Sequence, residues 1–218
     1  MKLQTIFLDA SPVRNEIIDD SVNQRTRLIH DSLKSFQGEG CFLVSNLNRS
    51  NLIQSGIIDT ATEVRVVNPF GPTRGALASA LLPIDLLSDS EPVLVLPTNS
   101  VTHVEVLKSF VEKMYSDGDA AGIILVESKN PHFSYARIHE GKVIEIIEKS
   151  IVGNLATTGV FYFRNKHVLK ESARWAFVNN QSTQNTFYIA QSLNYVLSAG
   201  ENIGYVIVDS SNYQHFAW

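Results

Sequence analysis

The stretch that decides the fold is FSYARIHEGKVIEIIEKSIVGNLATTGVFYF, residues 133–163. Its first part contains two strand-like runs that meet at Glu140 and Gly141, and a short pair ending in Gly between such runs is typical of a β-hairpin turn. Its second part, ATTGVFYF, is rich in Thr, Val and aromatic residues, which favour strands. The stretch therefore predicts a hairpin followed by a further strand.

Outward from this stretch, strand-like and helix-like segments alternate. The apolar periodicities predict strands at residues 3–9, 41–46, 62–68, 120–128 and 202–209, and a further strand within residues 91–101 around the apolar run 93–96. They predict helices at residues 20–36, 51–57, 74–87, 103–116, 166–180 and 187–200. Pro83 is expected to kink or end the third of these helices, and Gly200 to cap the last. This order predicts an α/β fold, a three-layer α/β/α sandwich around a Rossmann-like mixed sheet.

The composition is that of an ordinary globular protein. Among 218 residues, 44% are hydrophobic and 18% charged, and the net charge of −4 gives no reason to expect nucleic acid or an anionic membrane as a partner. We find no signal peptide and no apolar run long enough to span a bilayer, so a cytoplasmic protein is expected. The single cysteine, Cys41, lies in a predicted strand and is expected to be a buried, inert thiol.

Several common functional motifs are missing from the sequence. It has no phosphate-binding P-loop, no C-x-x-C or H-x-x-x-H pair for zinc, and no G-x-S-x-G turn of a serine hydrolase. The histidines are scattered, and we interpret His132, His139 and His215 as loop or surface residues rather than catalytic bases. Function must therefore be sought in a longer pattern.

Residues 133–163 resemble the second half of a sugar-phosphate nucleotidyltransferase. The family's pattern here is a strand ending in S-Y, a hairpin through a glycine, a V-x-x-x-x-E-K strand, and then A-x-x-G-x-Y-x-F, for which this chain has ATTGVFYF. The segments TRGALASALLPIDLLSDSEPVLVLPTNSV (residues 73–101) and NTFYIAQSLNYVLSAG (residues 185–200) extend the likeness to about residues 68–209. The variant is most similar to nucleotidyltransferases associated with bacterial capsule and surface-polysaccharide genes.

The resemblance implies a nucleotide-diphospho-sugar transferase-like fold and one domain over residues 1–218. Residues 1–130 would form the nucleotide-type half, and residues 131–218 the sugar-phosphate-type half. A nucleoside triphosphate and a sugar phosphate would be the small-molecule partners, Mg²⁺ the metal, and a homo-oligomer the assembly. No nucleic-acid or membrane partner is implied.

The resemblance also assigns roles to individual residues. It implies that Gly75 lies at the nucleotide base and that Gly159 lets the backbone approach the sugar, because a side chain would block either approach. It implies that Glu148 accepts hydrogen bonds from sugar hydroxyls and that Lys149 binds the sugar phosphate. An adjacent Glu and Lys in a strand can also be no more than solvated surface charge.

Asn99 follows the buried run VLVLP, where the family has its metal-holding aspartate. Mg²⁺ normally neutralises the charges that nucleotidyl transfer brings together. Asn offers one carbonyl oxygen without a charge, and losing that charge should weaken metal binding by several kcal/mol as an order of magnitude. Asp209, the last acidic residue in the sequence, is the other candidate metal ligand.

The N-terminal part departs furthest from the family. The family has a glycine-rich loop and a catalytic lysine after its first strand, but no glycine occurs here before Gly38 and no lysine between Lys2 and Lys34. Asp9 and Ser11, at the end of the first strand, could contact a ligand or serve in a turn. Arg14, Arg25 and Arg27 could supply charge, although a helix surface is the simpler location for the last two. No catalytic residue can be assigned.

Three hypotheses remain open. The first is an active nucleotidyltransferase that releases pyrophosphate. The second, favoured by Asn99 and by the missing loop and lysine, is a relative with impaired or altered catalysis, or a non-catalytic regulatory or structural subunit that binds nucleotide or sugar phosphate. The third is a glycosyltransferase on the same fold. The sequence does not identify the base, the acceptor or the oligomeric state.

Overall fold

A computed structural model describes residues 2–9 and 20–216, with the backbone alone for residues 20–23. Two of the candidate residues named above, Ser11 and Arg14, lie outside these described residues. The strands are β1 (Gln4–Leu8), β2 (Cys41–Val44), β3 (Arg65–Val67), β4 (Val93–Pro97), β5 (Ser100–Thr102), β6 (Ala121–Glu127), β7 (Ser134–His139), β8 (Lys142–Glu148), β9 (Leu155–Phe163), β10 (Ile203–Val208) and β11 (Tyr213–His215).

Nine of these strands form one mixed sheet in the described part of the chain. The main order is β10-β6-β9-β4-β1-β2-β3, and the hairpin β7–β8 joins it through β9. Strands β1 to β4 are paired in parallel with one another, as are β6 and β10, whereas β9 is antiparallel to both β4 and β6. Strands β5 and β11 form a separate two-stranded ribbon. The predicted mixed sheet is confirmed.

Helices cover both faces of this sheet. The α-helices are α1 (Asp20–Phe36), α2 (Arg49–Gln54), α3 (Ala76–Ala80), α4 (Val104–Asp117), α5 (Lys166–Val178), α6 (Ile189–Ser192) and α7 (Asn194–Ser198). Buried apolar residues of α1, α2 and α4 pack on one face, and those of α3, α5, α6 and α7 on the other. Successive strand residues alternate between these two cores, as pleated strands require. The three-layer prediction is therefore confirmed.

Local sequence rules account for most element boundaries. Ile29 and Leu33 are buried one turn apart on α1, which begins and ends at the predicted residues. Gly118 ends α4 in the left-handed conformation, and Asn165 caps α5 by accepting a hydrogen bond from the Val168 amide at 3.1 Å. The hairpin turn at Glu140 and Gly141 has positive φ at both residues, as two-residue hairpin turns prefer.

Two predicted helices are shorter than the sequence suggested. After α3, the chain continues only as a 3-10 turn at Ile84–Leu86, because Pro83 cannot donate a backbone hydrogen bond. The helix predicted over residues 187–200 divides into α6 and α7. The Ser192 hydroxyl donates to the Ile189 carbonyl at 2.7 Å near this break, and such back-bonding competes with regular helix hydrogen bonds.

Two smaller expectations can also be compared with the structure. Cys41 is buried, as expected, and burial raises the pKa of its thiol to about 11, so that little reactive thiolate exists at neutral pH. Among the described residues, none of the helices combines the length and the apolarity that crossing a bilayer demands.

Candidate functional site

Two adjoining cavities open at the carboxyl ends of β1 and β4. The first, which we call the cleft, has a volume of about 340 Å³ and is lined by residues of β1, β4, β5, β7, β8, β9, α6 and β11. The second, which we call the loop cavity, has a volume of about 250 Å³ and lies beside the loop of residues 69–75. Leu8 and Ala76 line both cavities. This edge of an open α/β sheet is where ligands usually bind.

The cleft exists because β9 leaves β4. The two strands are paired from Val93 to Val95 of β4, and β9 then carries extra residues relative to β6, which is a β-bulge. Gly159 lies in this bulge with φ of +88°, and an added Cβ would come within 2.9 Å of the Pro97 ring. Bulges often occur beside binding sites because they redirect a strand. The bulge therefore opens the space that the cleft occupies.

Asn99 lines the cleft from the turn between β4 and β5. The Thr98 amide donates to the Leu8 carbonyl at 3.1 Å, and the Asn99 carbonyl accepts from the Phe216 amide at 2.9 Å. Both bonds hold the backbone of this turn at the cleft wall. Asn99 is thus placed at a strand end beside the ligand-sized space, as its sequence position predicted.

Glu148 lines the same cleft from the end of β8 and is only 7% exposed. Its carboxylate accepts a hydrogen bond from the Ser134 hydroxyl of β7. Strand β8 is fixed from behind by Asn194 of α7, whose side chain exchanges hydrogen bonds of 2.9 and 2.8 Å with the Ile146 backbone. Burial raises the pKa of the Glu148 carboxyl, and the Ser134 hydrogen bond opposes that shift.

Lys149 has a different environment from its neighbour. It has φ of +52°, and its amide donates to the Phe133 carbonyl at 3.1 Å. Its Nζ donates to the Tyr188 hydroxyl at 2.6 Å and lies 4.8 Å from the centre of that ring. Tyr188 lines the cleft, whereas Lys149 does not line the cleft and its ammonium contacts the Tyr188 side chain there. Glu148 therefore lines the cleft directly, whereas the Lys149 ammonium is one residue removed from it.

Asp9 and Gly75 lie in the loop cavity rather than in the cleft. The Asp9 carboxylate accepts hydrogen bonds from Ser45 at 2.7 Å and from Thr98 at 3.2 Å, which connect the ends of three parallel strands. Gly75 has φ of +110°, and an added Cβ would lie 2.4 Å from the Phe187 carbonyl oxygen. The steric need for glycine at this position thus comes from the protein backbone.

Asp209 does not line either cavity. Its side chain accepts a hydrogen bond of 2.8 Å from the Ser211 amide and caps the short turn Ser210–Asn212. That hydrogen bond lowers the pKa of the exposed Asp209 carboxyl.

The described residues do not offer a ready-made Mg²⁺ site. They contain no group of three or more His, Cys, Asp or Glu residues that could hold a metal ion. At the two cavities, Asn99 supplies an uncharged oxygen, and the Asp9 carboxylate is already bonded by two hydroxyls. Mg²⁺ generally needs one or two carboxylates together with substrate phosphates. The donors present therefore do not fit a resident Mg²⁺, although the ion could enter bound to a triphosphate.

Several residues near the cavities were missed or undervalued by sequence reasoning. Arg25 is half-buried, and its Nε donates to the Thr98 carbonyl at 3.0 Å, so the helix-surface interpretation of Arg25 was wrong. Arg27 is exposed as expected. His132 and His215 line the cleft, while His139 is exposed on the hairpin. No sequence signal distinguishes the three histidines, because only the ribbon β5–β11 brings His215 to the cleft.

The buried carboxylate predicts an unusual pH dependence of stability. Because the folded-state pKa of Glu148 is raised, the folded protein binds more protons than the unfolded chain above the ordinary carboxyl range near 4.5. This contribution is therefore favourable at low pH and is lost as pH rises through the folded pKa. We expect Glu148→Gln to increase the free energy of unfolding more at pH 8 than at pH 4, measured by urea denaturation. A substitution effect that is equal at both pH values would contradict this.

Comparisons with known proteins find solved structures with a similar fold but no protein with a matching sequence. No protein-family model and no curated protein matches the sequence. A crystal structure of a nucleoside-diphosphate-sugar pyrophosphorylase from Vibrio cholerae RC9 matches with a TM-score of 0.74 and 15% identity, over 97% of this chain and 95% of that one. A protein from Bacillus anthracis described as a glucose-1-phosphate thymidylyltransferase, in complex with a sucrose, matches with a TM-score of 0.66 and 14% identity, over 94% of this chain and 87% of that one. The predicted fold class is confirmed.

Proposed function

We propose, from this nucleotidyltransferase fold, that the protein binds a nucleoside triphosphate and a phosphorylated small molecule at the cleft and the loop cavity. The observation that carries the proposal is that Asn99 and Glu148, far apart in sequence, line one cleft whose neighbouring cavity contains Asp9 and Gly75. These are the residues at which the sequence resembles sugar-phosphate nucleotidyltransferases. A chain in which they faced separate regions would not support this function.

Each cavity takes one ligand in this proposal. The loop cavity, built by residues 1–130, would receive the nucleotide base. The cleft would receive the acceptor, with Glu148 as a hydrogen-bond acceptor and Lys149 with Tyr188 near its phosphate. The activity would belong to nucleotide-sugar or capsule and surface-polysaccharide biosynthesis, in a single domain. The cytoplasmic location and homo-oligomeric state expected from the sequence belong to the same proposal.

Catalysis would be impaired or altered relative to the family. Nucleotidyl transfer depends mostly on positioning and on neutralising the charge of the triphosphate. The described residues place an amide at the metal-aspartate position, and the sequence lacks the family's glycine-rich loop and lysine. Among the described residues, the cationic side chain of Arg25 contacts the Asn99 turn by donating a hydrogen bond to the Thr98 carbonyl. A regulatory or structural subunit that binds without turnover is the second candidate, supported by the same replacements.

The proposal is tested by binding and turnover measured separately. Purified protein is mixed with Mg²⁺, each common nucleoside triphosphate and a panel of sugar 1-phosphates, and pyrophosphate release is followed. Release that disappears in Lys149→Ala supports an enzyme. If there is no release, a concentration-dependent rise in Tm with a triphosphate supports the binding subunit, because a ligand that prefers the folded state stabilises it. If the protein shows no pyrophosphate release and no Tm shift, both the enzyme and the binding subunit are rejected. Release of nucleoside diphosphate from a nucleotide sugar would instead indicate a glycosyltransferase.

A carboxylate at residue 99 should strengthen metal binding. We expect Asn99→Asp to tighten Mg²⁺ binding, measured by calorimetry with a triphosphate present, because it restores a charge beside the dication. We expect the dissociation constant for Mg²⁺ to fall at least tenfold, which corresponds to about 1.4 kcal/mol. Asn202→Asp, an exposed position remote from the cleft, is the matched control for added charge. Equal affinities for the two variants would show that residue 99 does not face the metal.

A further inference from the structure

The walls of the cleft are dominated by aromatic rings. Six aromatic side chains line it: Phe133, Phe161, Tyr188, Tyr213, His132 and His215. Phe133 and His215 are in contact edge to face, with ring centres 4.9 Å apart. Burial lowers the pKa of the His215 imidazole, which favours its neutral form. The aromatic wall therefore consists of several rings from separate segments of the chain.

The polar groups of the cleft are poorly arranged for a ligand rich in hydroxyls. The Ser100 hydroxyl donates to the Thr158 carbonyl at 2.9 Å, and the Thr158 hydroxyl donates to the Ile124 carbonyl at 3.3 Å. Both side chains are thereby committed to the protein backbone. A sugar needs many directional partners to replace its bound water, since unpaired buried hydroxyls are costly. The remaining wall is mostly apolar by area, and its further polar side chains include Asn99, Thr157 and the tyrosine hydroxyls.

Glu148 is the exception, because it is a buried carboxylate without an ion-pair partner. Its hydrogen bond is to a neutral hydroxyl, and no nitrogen of a described lysine, arginine or histidine side chain lies within ion-pair distance of it. A buried carboxylate, on a residue only 7% exposed, costs much free energy to ionise unless a positive charge lies beside it. The charge of the neighbouring Lys149 favours the ionised form of Glu148, but the Lys149 ammonium is bonded to the Tyr188 hydroxyl rather than to the carboxylate.

We infer that the cleft is built for the positively charged group of a phosphorylated amino alcohol rather than for a neutral sugar phosphate. The ammonium group would lie against the rings of Phe133 and Tyr213 with Glu148 as its counter-charge, because cations bind over aromatic faces and beside carboxylates. The phosphate would lie towards Lys149, so that the Glu148–Lys149 pair matches a zwitterion. This inference rests on the proposed function, whose acceptor class it names.

A pair of isosteric ligands isolates the charge. Choline phosphate and 3,3-dimethylbutyl phosphate have nearly the same shape, but only the first carries the quaternary ammonium. We expect choline phosphate to bind the full chain at least tenfold more tightly, measured by calorimetry in the presence and absence of a triphosphate. Glucose 1-phosphate is the reference for a neutral acceptor and is expected to bind more weakly than choline phosphate.

Variants then test the groups named. Glu148→Gln should remove most of the preference for choline phosphate over its uncharged isostere, and Phe133→Leu should reduce it, whereas Phe133→Tyr should retain it. Circular dichroism and Tm confirm that each variant is folded. Equal binding of the two isosteres, absence of choline phosphate binding, or tighter binding of glucose 1-phosphate would overturn the inference. If any of these results is found but a triphosphate still binds, only the inference fails and the proposed function stands. If choline phosphate binds but no triphosphate does, only the proposed function fails.

Discussion

Gly75→Ala is expected to lower the free energy of unfolding by about 2–6 kcal/mol, the sum of backbone strain and overpacking of about 1–3 kcal/mol each. Gly75 has φ of +110° and ψ of 177°, a region that residues with a side chain rarely enter. The new Cβ would lie 2.4 Å from the Phe187 carbonyl oxygen and 3.0 Å from its amide nitrogen. These atoms cannot move easily, because Phe187 exchanges backbone hydrogen bonds with Arg74 and Leu77.

Alanine substitutions at two other glycines distinguish the cost of backbone strain from the cost of a steric clash. Gly118 has φ of +71° with no atom within 4 Å of an added Cβ, so Gly118→Ala should cost about 1–2 kcal/mol from strain alone. Gly71 has neither a positive φ in the described structure nor a close neighbour, and Gly71→Ala should be almost neutral. Urea denaturation of the three variants gives the comparison. A Gly75→Ala cost no greater than that of Gly118→Ala would refute the packing of residues 74–77 against Phe187.

Gly159→Ala is expected to lower the free energy of unfolding by about 2–4 kcal/mol, from positive-φ strain and from overpacking. Here φ is +88°, and the added Cβ would lie 2.9 Å from Cγ of Pro97. Pro97 ends β4 at the wall of the cleft, so the two side chains would push β4 and β9 apart. The same substitution should therefore weaken ligand binding in the cleft.

A double-mutant cycle with Pro97→Ala tests this contact. Removing the proline ring makes room for the new methyl group, so the double variant should be about 1 kcal/mol more stable than the sum of the single effects. The strain at residue 159 would remain, since no change at residue 97 alters that φ. Strictly additive free energies would mean that the cost at Gly159 is backbone strain alone.

These two glycines show where the sequence interpretation reached its limit. The resemblance explained both by close approach of a ligand. The structure shows that the space beside each missing side chain is filled by protein, namely Phe187 and Pro97, while both residues still line the cavities. Ligand contact by their backbones stays a prediction. A glycine in a motif indicates that other atoms approach the backbone closely, but not whether those atoms belong to a ligand or to the protein.

The candidate site was predictable in part. Asn99 and Glu148 were named from a pattern that places each at a strand end, and both line the cleft. Asp9 and Gly75 share the loop cavity instead, and Asp209 caps a turn outside both cavities. Arg25, Tyr188 and His215 reach the site by contacts between segments distant in sequence, which no local pattern encodes.

The sequence by itself determined the nine strands of the main sheet, most helices and their alternation, because apolar periodicity, capping residues and turn glycines act within a few residues. It did not predict β5 and β11, which pair only in the folded chain. It also determined the hairpin at Glu140 and Gly141 and the burial of Cys41. Only the tertiary structure decided that Glu148 is buried in an aromatic cleft with no ion-pair partner among the described residues, and that Lys149 contacts Tyr188 instead. Those facts depend on which strands become neighbours, and neighbouring strands are chosen by packing across the whole sheet.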